Sequence, residues 1–148
     1  TPAVRMASIC DVYDAITSTR PYKKGKSPLQ AITEMEALDG EFDRDLLFRF
    51  MRSIGVYPAG KLIRLRSNRL AIVLQSGLQN RQPIARAFYD VVGRRYIDYE
   101  DVILGDQLNH DRAITHEAPD AWFTGDWETV QKRVRSGRRV PDDSFSKR

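Results

Sequence analysis

Two carboxylates three positions apart, followed by an arginine, a tyrosine and a lysine, carry the clearest chemical signal in this chain: Asp11 and Asp14, then Arg20, Tyr22 and Lys23. Carboxylates bind cations, and Arg and Lys bind phosphate, the first through a planar fork and the second as a point charge. Together these residues read as half of a metal-assisted phosphate site. Spacing alone leaves another arrangement open. Carboxylates at i and i+3 are common on helices, where they pair with a nearby Arg or face water. The basic residues after them also fit a solvated loop.

The element that must position these carboxylates is a helix. Residues 4–17 contain no Gly, and Pro2 sits where a helix start accepts it. Met6, Ile9, Cys10, Tyr13 and Ile16 fall on one face at helical spacing. Asp11 and Asp14 fall nearly opposite, beside Ala7 and Ala15. A solvated face usually carries Glu, Lys and Gln, whereas this one carries small residues and Asp, a poor helix former. The composition predicts a helix buried on most sides, with room for close approach to the carboxylates. A carboxylate so buried must be paired, hydrogen-bonded, metal-bound or protonated.

Two further helices follow. Ser27 is a natural N-cap with Pro28 as first helical residue, and Leu29, Ile32, Met35 and Leu38 form the apolar seam up to Gly40. Asp43 caps the next, whose inner face carries Leu46, Leu47, Phe50, Met51 and Ile54 and which ends at Gly55. After Pro58 the period changes. Residues 61–66, 70–75, 84–91 and 96–103 read as strands, with Ser67-Asn68 and Gly93-Arg94 as turns. From Asp106 onward the chain is polar and broken, apart from Trp122, Phe123 and Trp127. Asp126 can cap a short helix bearing Trp127, Val130 and Val134 on one side.

Four stretches, in order, resemble the HD-GYP family of metal-dependent phosphodiesterases. They are Asp11-Val12-Tyr13-Asp14-Ala15-Ile16-Thr17-Ser18 with Arg20-Pro21-Tyr22-Lys23, then Ser27-Pro28, then Gly40-Glu41-Phe42-Asp43, then Tyr57-Pro58-Ala59-Gly60-Lys61-Leu62-Ile63-Arg64-Leu65. Ile16 stands where Leu is usual, and Arg44 where Pro is. The resemblance implies Asp11 as the last metal-ligand aspartate, Asp14 as a neighbour orienting the other ligands, and Arg20 and Lys23 on the phosphates of cyclic di-GMP. It implies a divalent metal, iron or manganese, which would activate a water for hydrolysis of the phosphodiester. Tyr22 either stacks on a base or pins the loop; the second is expected. Lys24 and Lys26 are expected in solvent.

The family's His ligands, its His-Asp pair and its Gly-Tyr-Pro motif lie ahead of the aspartate motif. Only ten residues precede Asp11 here, none of them His, and the first is Thr rather than Met. His110 and His116 lie far downstream, without ligand spacing. The resemblance therefore implies a C-terminal piece of a longer cyclic di-GMP phosphodiesterase, itself expected to be inactive because one Asp cannot assemble such a metal centre. A cyclic di-GMP sensor or interaction module without catalysis is the alternative. A diguanylate cyclase or another signalling domain is a partner the family allows.

The expected fold class is α+β: the last helices of an all-α HD-type core (1–57), a small antiparallel β-hairpin subdomain (58–105), a Trp-containing docking segment (106–137) and a disordered tail (138–148). With 148 residues and 41% hydrophobic content, the chain can build one modest core. The net charge of +4 is uneven: residues 20–26 and 52–69 are basic without acids, and residues 31–50 are acidic. Basic segments suit an anionic ligand. The 61–69 hairpin has no interleaved aromatics, which points away from nucleic acid. No run of 18 apolar residues exists, so no membrane span is expected. Cys10 is the only cysteine, expected as a buried free thiol in a cytoplasmic protein.

Overall fold

The computed structural model describes all residues except 39, 79–80, 106, 108–109, 124–126 and 141–148. Three helices come first: α1 (Pro2–Thr17), α2 (Pro28–Ala37) and α3 (Arg44–Ile54). Their ends follow local chemistry. Ser27 and Gln30 form a reciprocal capping box at the start of α2, ahead of Pro28. The Asp43 carboxylate accepts from the amides of Asp45 and Leu46 (2.9 and 3.1 Å) at the start of α3. Gly55 closes α3 in the left-handed region at φ 71°, where a side chain would be strained.

Five strands follow: β1 (Leu62–Leu65), β2 (Arg69–Gln75), β3 (Ile84–Asp90), β4 (Arg95–Ile103) and β5 (Ala113–His116). Each pairing is antiparallel, and the order across the sheet is β4-β3-β2-β1-β5. The short helices α4 (Pro119–Trp122) and α5 (Trp127–Arg135) come last. The sheet curls. The Asp111 amide donates to the Ile103 carbonyl at the end of β4 (2.9 Å), while its carboxylate accepts from Ser67 in the β1–β2 turn (2.6 Å). Irregular register in every strand pair except β1–β2 is consistent with that curvature.

The sheet is covered on both faces, which explains the unbroken apolar run of β2. Alternate residues of β2 serve different cores. Ala71 and Val73 join Ile63, Leu65, Ala85 and Ala87 beneath the three N-terminal helices. Leu70 and Ile72 join Phe88 and Tyr89 on the other side, beneath Phe123, Val130 and Val134. Sizes complement across each layer. Small alanines on the strands meet Phe48, Phe50 and Met51 of α3, whereas large strand aromatics meet the valines of α5.

This arrangement corrects the expected fold class. The structure is a mixed α/β fold with a five-stranded antiparallel sheet and five helices among the described residues, not an all-α core followed by a small hairpin. The first three helices do not close a core by themselves: their buried residues share one cluster with the strands, which α3 meets at β5. The fifth strand was not visible in the sequence. Ala113-Ile114-Thr115-His116 is short and without alternation, and it is held by pairing to β1. Residues 138–140, read from sequence as part of a disordered end, are fastened: Val140 is buried, and Tyr99 donates to the Arg138 carbonyl (2.5 Å). The expected cap Asp126 and residues 141–148 lie outside the described residues. No helix among the described residues is long and apolar enough to cross a membrane.

Candidate anion and carboxylate site at the end of the first helix

The apolar face of α1 is the one its spacing predicts. Ile9 is fully buried, and Met6, Cys10, Tyr13 and Ile16 pack beside it, with Cys10 a half-buried free thiol. Tyr13 meets Phe50 of α3 edge-on, ring centres 4.9 Å apart. That contact fixes how the helix is rotated, and so where the opposite face points. Burial pushes the Tyr13 hydroxyl above its ordinary pKa of 10.0, and the charge of Asp14 adds to the shift.

The opposite face departs from expectation. Asp11 and Asp14 are exposed, as are Ala3, Ala7, Ser8 and Ala15. The small residues suggest burial, but no described element lies over them. Neither carboxylate has a hydrogen-bond or ion-pair partner among the described residues. Adjacent on one helical face, they remain open to whatever approaches.

Arg20 and Lys23 are brought together. The Arg20 amide donates to the Lys23 carbonyl (2.7 Å), and the Lys23 amide donates back to the Arg20 carbonyl (3.0 Å). Only Pro21 and Tyr22 separate them, and proline at the first central position suits a tight turn. Residues exchanging both hydrogen bonds stand directly opposite, about 5.5 Å apart at Cα, with side chains on one side. Like charges so placed repel, and neither has an acidic partner among the described residues. Tyr22 at the tip is 82% exposed, so it pins nothing and offers an open ring face. The two nearby lysines differ. Lys26 pairs with Glu34 of α2, whereas Lys24 faces solvent.

A divalent metal would need more donors than these. Among the described residues no three His, Cys, Asp or Glu side chains converge. His116 lies on β5, bonded through Nε2 to Asp45 (3.0 Å) and packed against Phe48. His110 is likewise remote, beside Gly105. The donors among the described residues therefore do not by themselves fit a metal centre. Residue types and spacing singled out Asp11, Asp14, Arg20 and Lys23 as candidates. They did not single out Thr19 and Gly25, whose hydroxyl oxygen and amide are hydrogen-bonded to each other across the base of the turn (3.2 Å). A Gly shortly after a Pro-containing basic turn was the one available signal.

Over 119 residues, 80% of this chain, the sequence is 41% identical to the cyclic di-GMP phosphodiesterase PA4108 of Pseudomonas aeruginosa. The chain spans 29% of the length of that relative. No family model matches, and no solved structure matches.

Proposed function

We propose that this chain carries the phosphate-recognising part of a cyclic di-GMP phosphodiesterase of HD-GYP type. The observation that carries the reading is the Arg20–Lys23 turn. Two opposed cations without an acidic partner among the described residues stand just beyond a helix whose open face bears Asp11 and Asp14. A phosphodiester oxygen between Arg20 and Lys23 would offset their repulsion and accept charge-assisted hydrogen bonds. The likeness to the Pseudomonas aeruginosa phosphodiesterase supplies the ligand class. Tyr22 would offer its face to a guanine.

Asp11 would contribute one carboxylate to a divalent metal, iron or manganese, with Asp14 orienting neighbouring groups. The described residues supply too few donors for that centre, so the chain alone is expected to bind cyclic di-GMP without hydrolysing it. A second reading, a signalling module that binds the dinucleotide without cleavage, is favoured by the same fact: the described residues form the basic turn, whereas among them no metal-ligand set converges.

Calorimetric titration with cyclic di-GMP tests the proposal. Arg20→Ala and Lys23→Ala should each weaken binding about tenfold or more, the scale of a hydrogen bond involving a charged group. Lys24→Ala and Lys26→Ala should change it less than about threefold, because Lys26 is engaged with Glu34 and Lys24 lies outside the Arg20–Lys23 pairing. Equal losses in all four variants, abolished by salt, would reduce the turn to a diffuse basic patch.

A further inference from the structure

The two opposed cations act as a clamp only if the turn that carries them is held still, and that turn lies outside both hydrophobic cores. Its fastening is visible in the backbone. After the last turn of α1, where the Ser18 amide donates to the Asp14 carbonyl (2.9 Å), the chain runs out to Pro21-Tyr22 and comes back. On its return, the Lys26 amide donates to the Ile16 carbonyl (3.0 Å), tying the loop's end to the helix it left. One residue earlier, the Gly25 amide donates to the Thr19 hydroxyl oxygen (3.2 Å), closing the loop beneath Arg20 and Lys23. At that point the returning strand passes very close to the helix end. A Cβ on residue 25 would stand 2.1 Å from the Thr17 carbonyl oxygen, 2.7 Å from its carbon and 2.8 Å from the carbonyl carbon of Ser18. All three are main-chain atoms, so no side chain can swing aside to make room.

We propose that Gly25 and Thr19 are positioning residues for this anion clamp. Gly25 has no side chain and the Thr19 hydroxyl oxygen accepts from the Gly25 amide, so neither is offered as a contact to the ligand. Gly25 lets the loop lie against the end of α1, and the Thr19 hydroxyl latches it there, so that Arg20 and Lys23 are set at one place beyond the Asp11 and Asp14 face. The inference rests on the reading of Arg20 and Lys23 as phosphate ligands. Misplacing groups by about 1 Å can cost two orders of magnitude where geometry matters. The effect here should nonetheless be smaller, because an exposed loop can partly readjust when a ligand binds.

The test uses the 148-residue chain, with cyclic di-GMP as probe and amide hydrogen exchange at Arg20 and Lys23 as a ligand-free readout. Gly25→Ala should speed exchange at both amides at least tenfold and weaken cyclic di-GMP binding about tenfold. Thr19→Val, which removes the accepting oxygen and keeps the shape, should weaken binding about threefold, and Thr19→Ser should restore it. Thermal midpoints of the Thr19 variants should stay within about 2 °C of wild type, because no core residue is touched, whereas Gly25→Ala should lower the midpoint modestly while the chain stays folded. Arg20→Ala and Lys23→Ala separate the two levels of the argument. If they weaken binding while Gly25→Ala and Thr19→Val bind and exchange like wild type, the positioning role is wrong and the phosphate reading stands. If wild type fails to bind, or Arg20→Ala and Lys23→Ala bind as tightly as wild type, the phosphate reading falls and this inference falls with it.

Discussion

Helices α1 and α3 lie against each other yet are built on opposite principles. The eleven residues of α3 bury Leu46, Leu47, Phe48, Phe50 and Met51, and both its ends are capped. The sixteen residues of α1 bury only Ile9, and the side bearing Asp11 and Asp14 stays uncovered. Burial of apolar surface dominates stability, at about 25 cal/mol per Å², so α3 and the strands beneath it form the platform. The first helix is attached to that platform along one stripe. Its charged groups, and the turn beyond them, stand where a ligand can reach them. Stability and candidate chemistry are thus assigned to different parts of the molecule.

The sharpest way to break that contrast is to compare truncations on the two helices. Phe48→Ala should cost about 3–5 kcal/mol and Met51→Ala about 2–5 kcal/mol in urea denaturation, because each leaves a cavity between α3 and the sheet. A domain of this size has only about 5–15 kcal/mol in hand, so either variant would be badly weakened. Asp11→Ala and Asp14→Ala should each stay within about 0.5 kcal/mol of wild type, as exposed residues without partners do. Comparable losses at Asp11 and Phe48 would erase the distinction.

A smaller effect is expected at the start of α3. Asp43→Ala removes the carboxylate that caps two amides and should cost about 1 kcal/mol by denaturation. The ion pair of Asp43 with Arg5 of α1 (3.5 Å) is largely exposed and should add little, so Arg5→Ala should be nearly silent.

The smallest effect concerns the junction of the two helices. Tyr13 holds its proton more tightly folded than unfolded, chiefly through burial and secondly through Asp14. A raised folded pKa contributes stability that is present below the unfolded value of 10.0 and is lost as pH rises through the folded value. Denaturation midpoints should therefore fall above pH 10. Tyr13→Phe should flatten part of that fall, and Asp14→Asn should reduce it slightly. Tyr99, whose hydroxyl is also raised by burial, should contribute in the same direction. An unchanged alkaline limb in Tyr13→Phe would remove the claim that this tyrosine is packed as described.

Where local chemistry decides, the sequence was readable. Ser27 before Pro28, Asp43 at a helix start and Gly55 at a helix end act on neighbours within a few residues, and each stands where spacing placed it. Four strands were legible for the same reason, although the sheet they join was not. β5 has no pattern of its own and exists because the edge of β1 accepts it. The fastening of Val140 depends on Tyr99 and on strands far back in the chain. At the candidate site, residue types identified Asp11, Asp14, Arg20 and Lys23 as groups of interest. Their environment was misjudged, because small residues on a helix signal room for a neighbour without revealing whether this chain supplies one. Gly25 left only a faint sequence signal, a Gly shortly after a Pro-containing basic turn, because how closely two backbone segments pass is set by the fold and not by spacing.

The central claim is that an anion is held at the Arg20–Lys23 turn, outside the packed body of the molecule. Amide-resolved NMR of the 148-residue chain during titration with cyclic di-GMP addresses it directly. Saturable shifts concentrated at residues 19–25 and at the Asp11–Asp14 face are expected, with β2, β3 and α3 unmoved, and with loss of those shifts in the Arg20→Ala, Lys23→Ala double variant. Shifts that persist in the double variant, or that centre on the sheet or on α5, would contradict it.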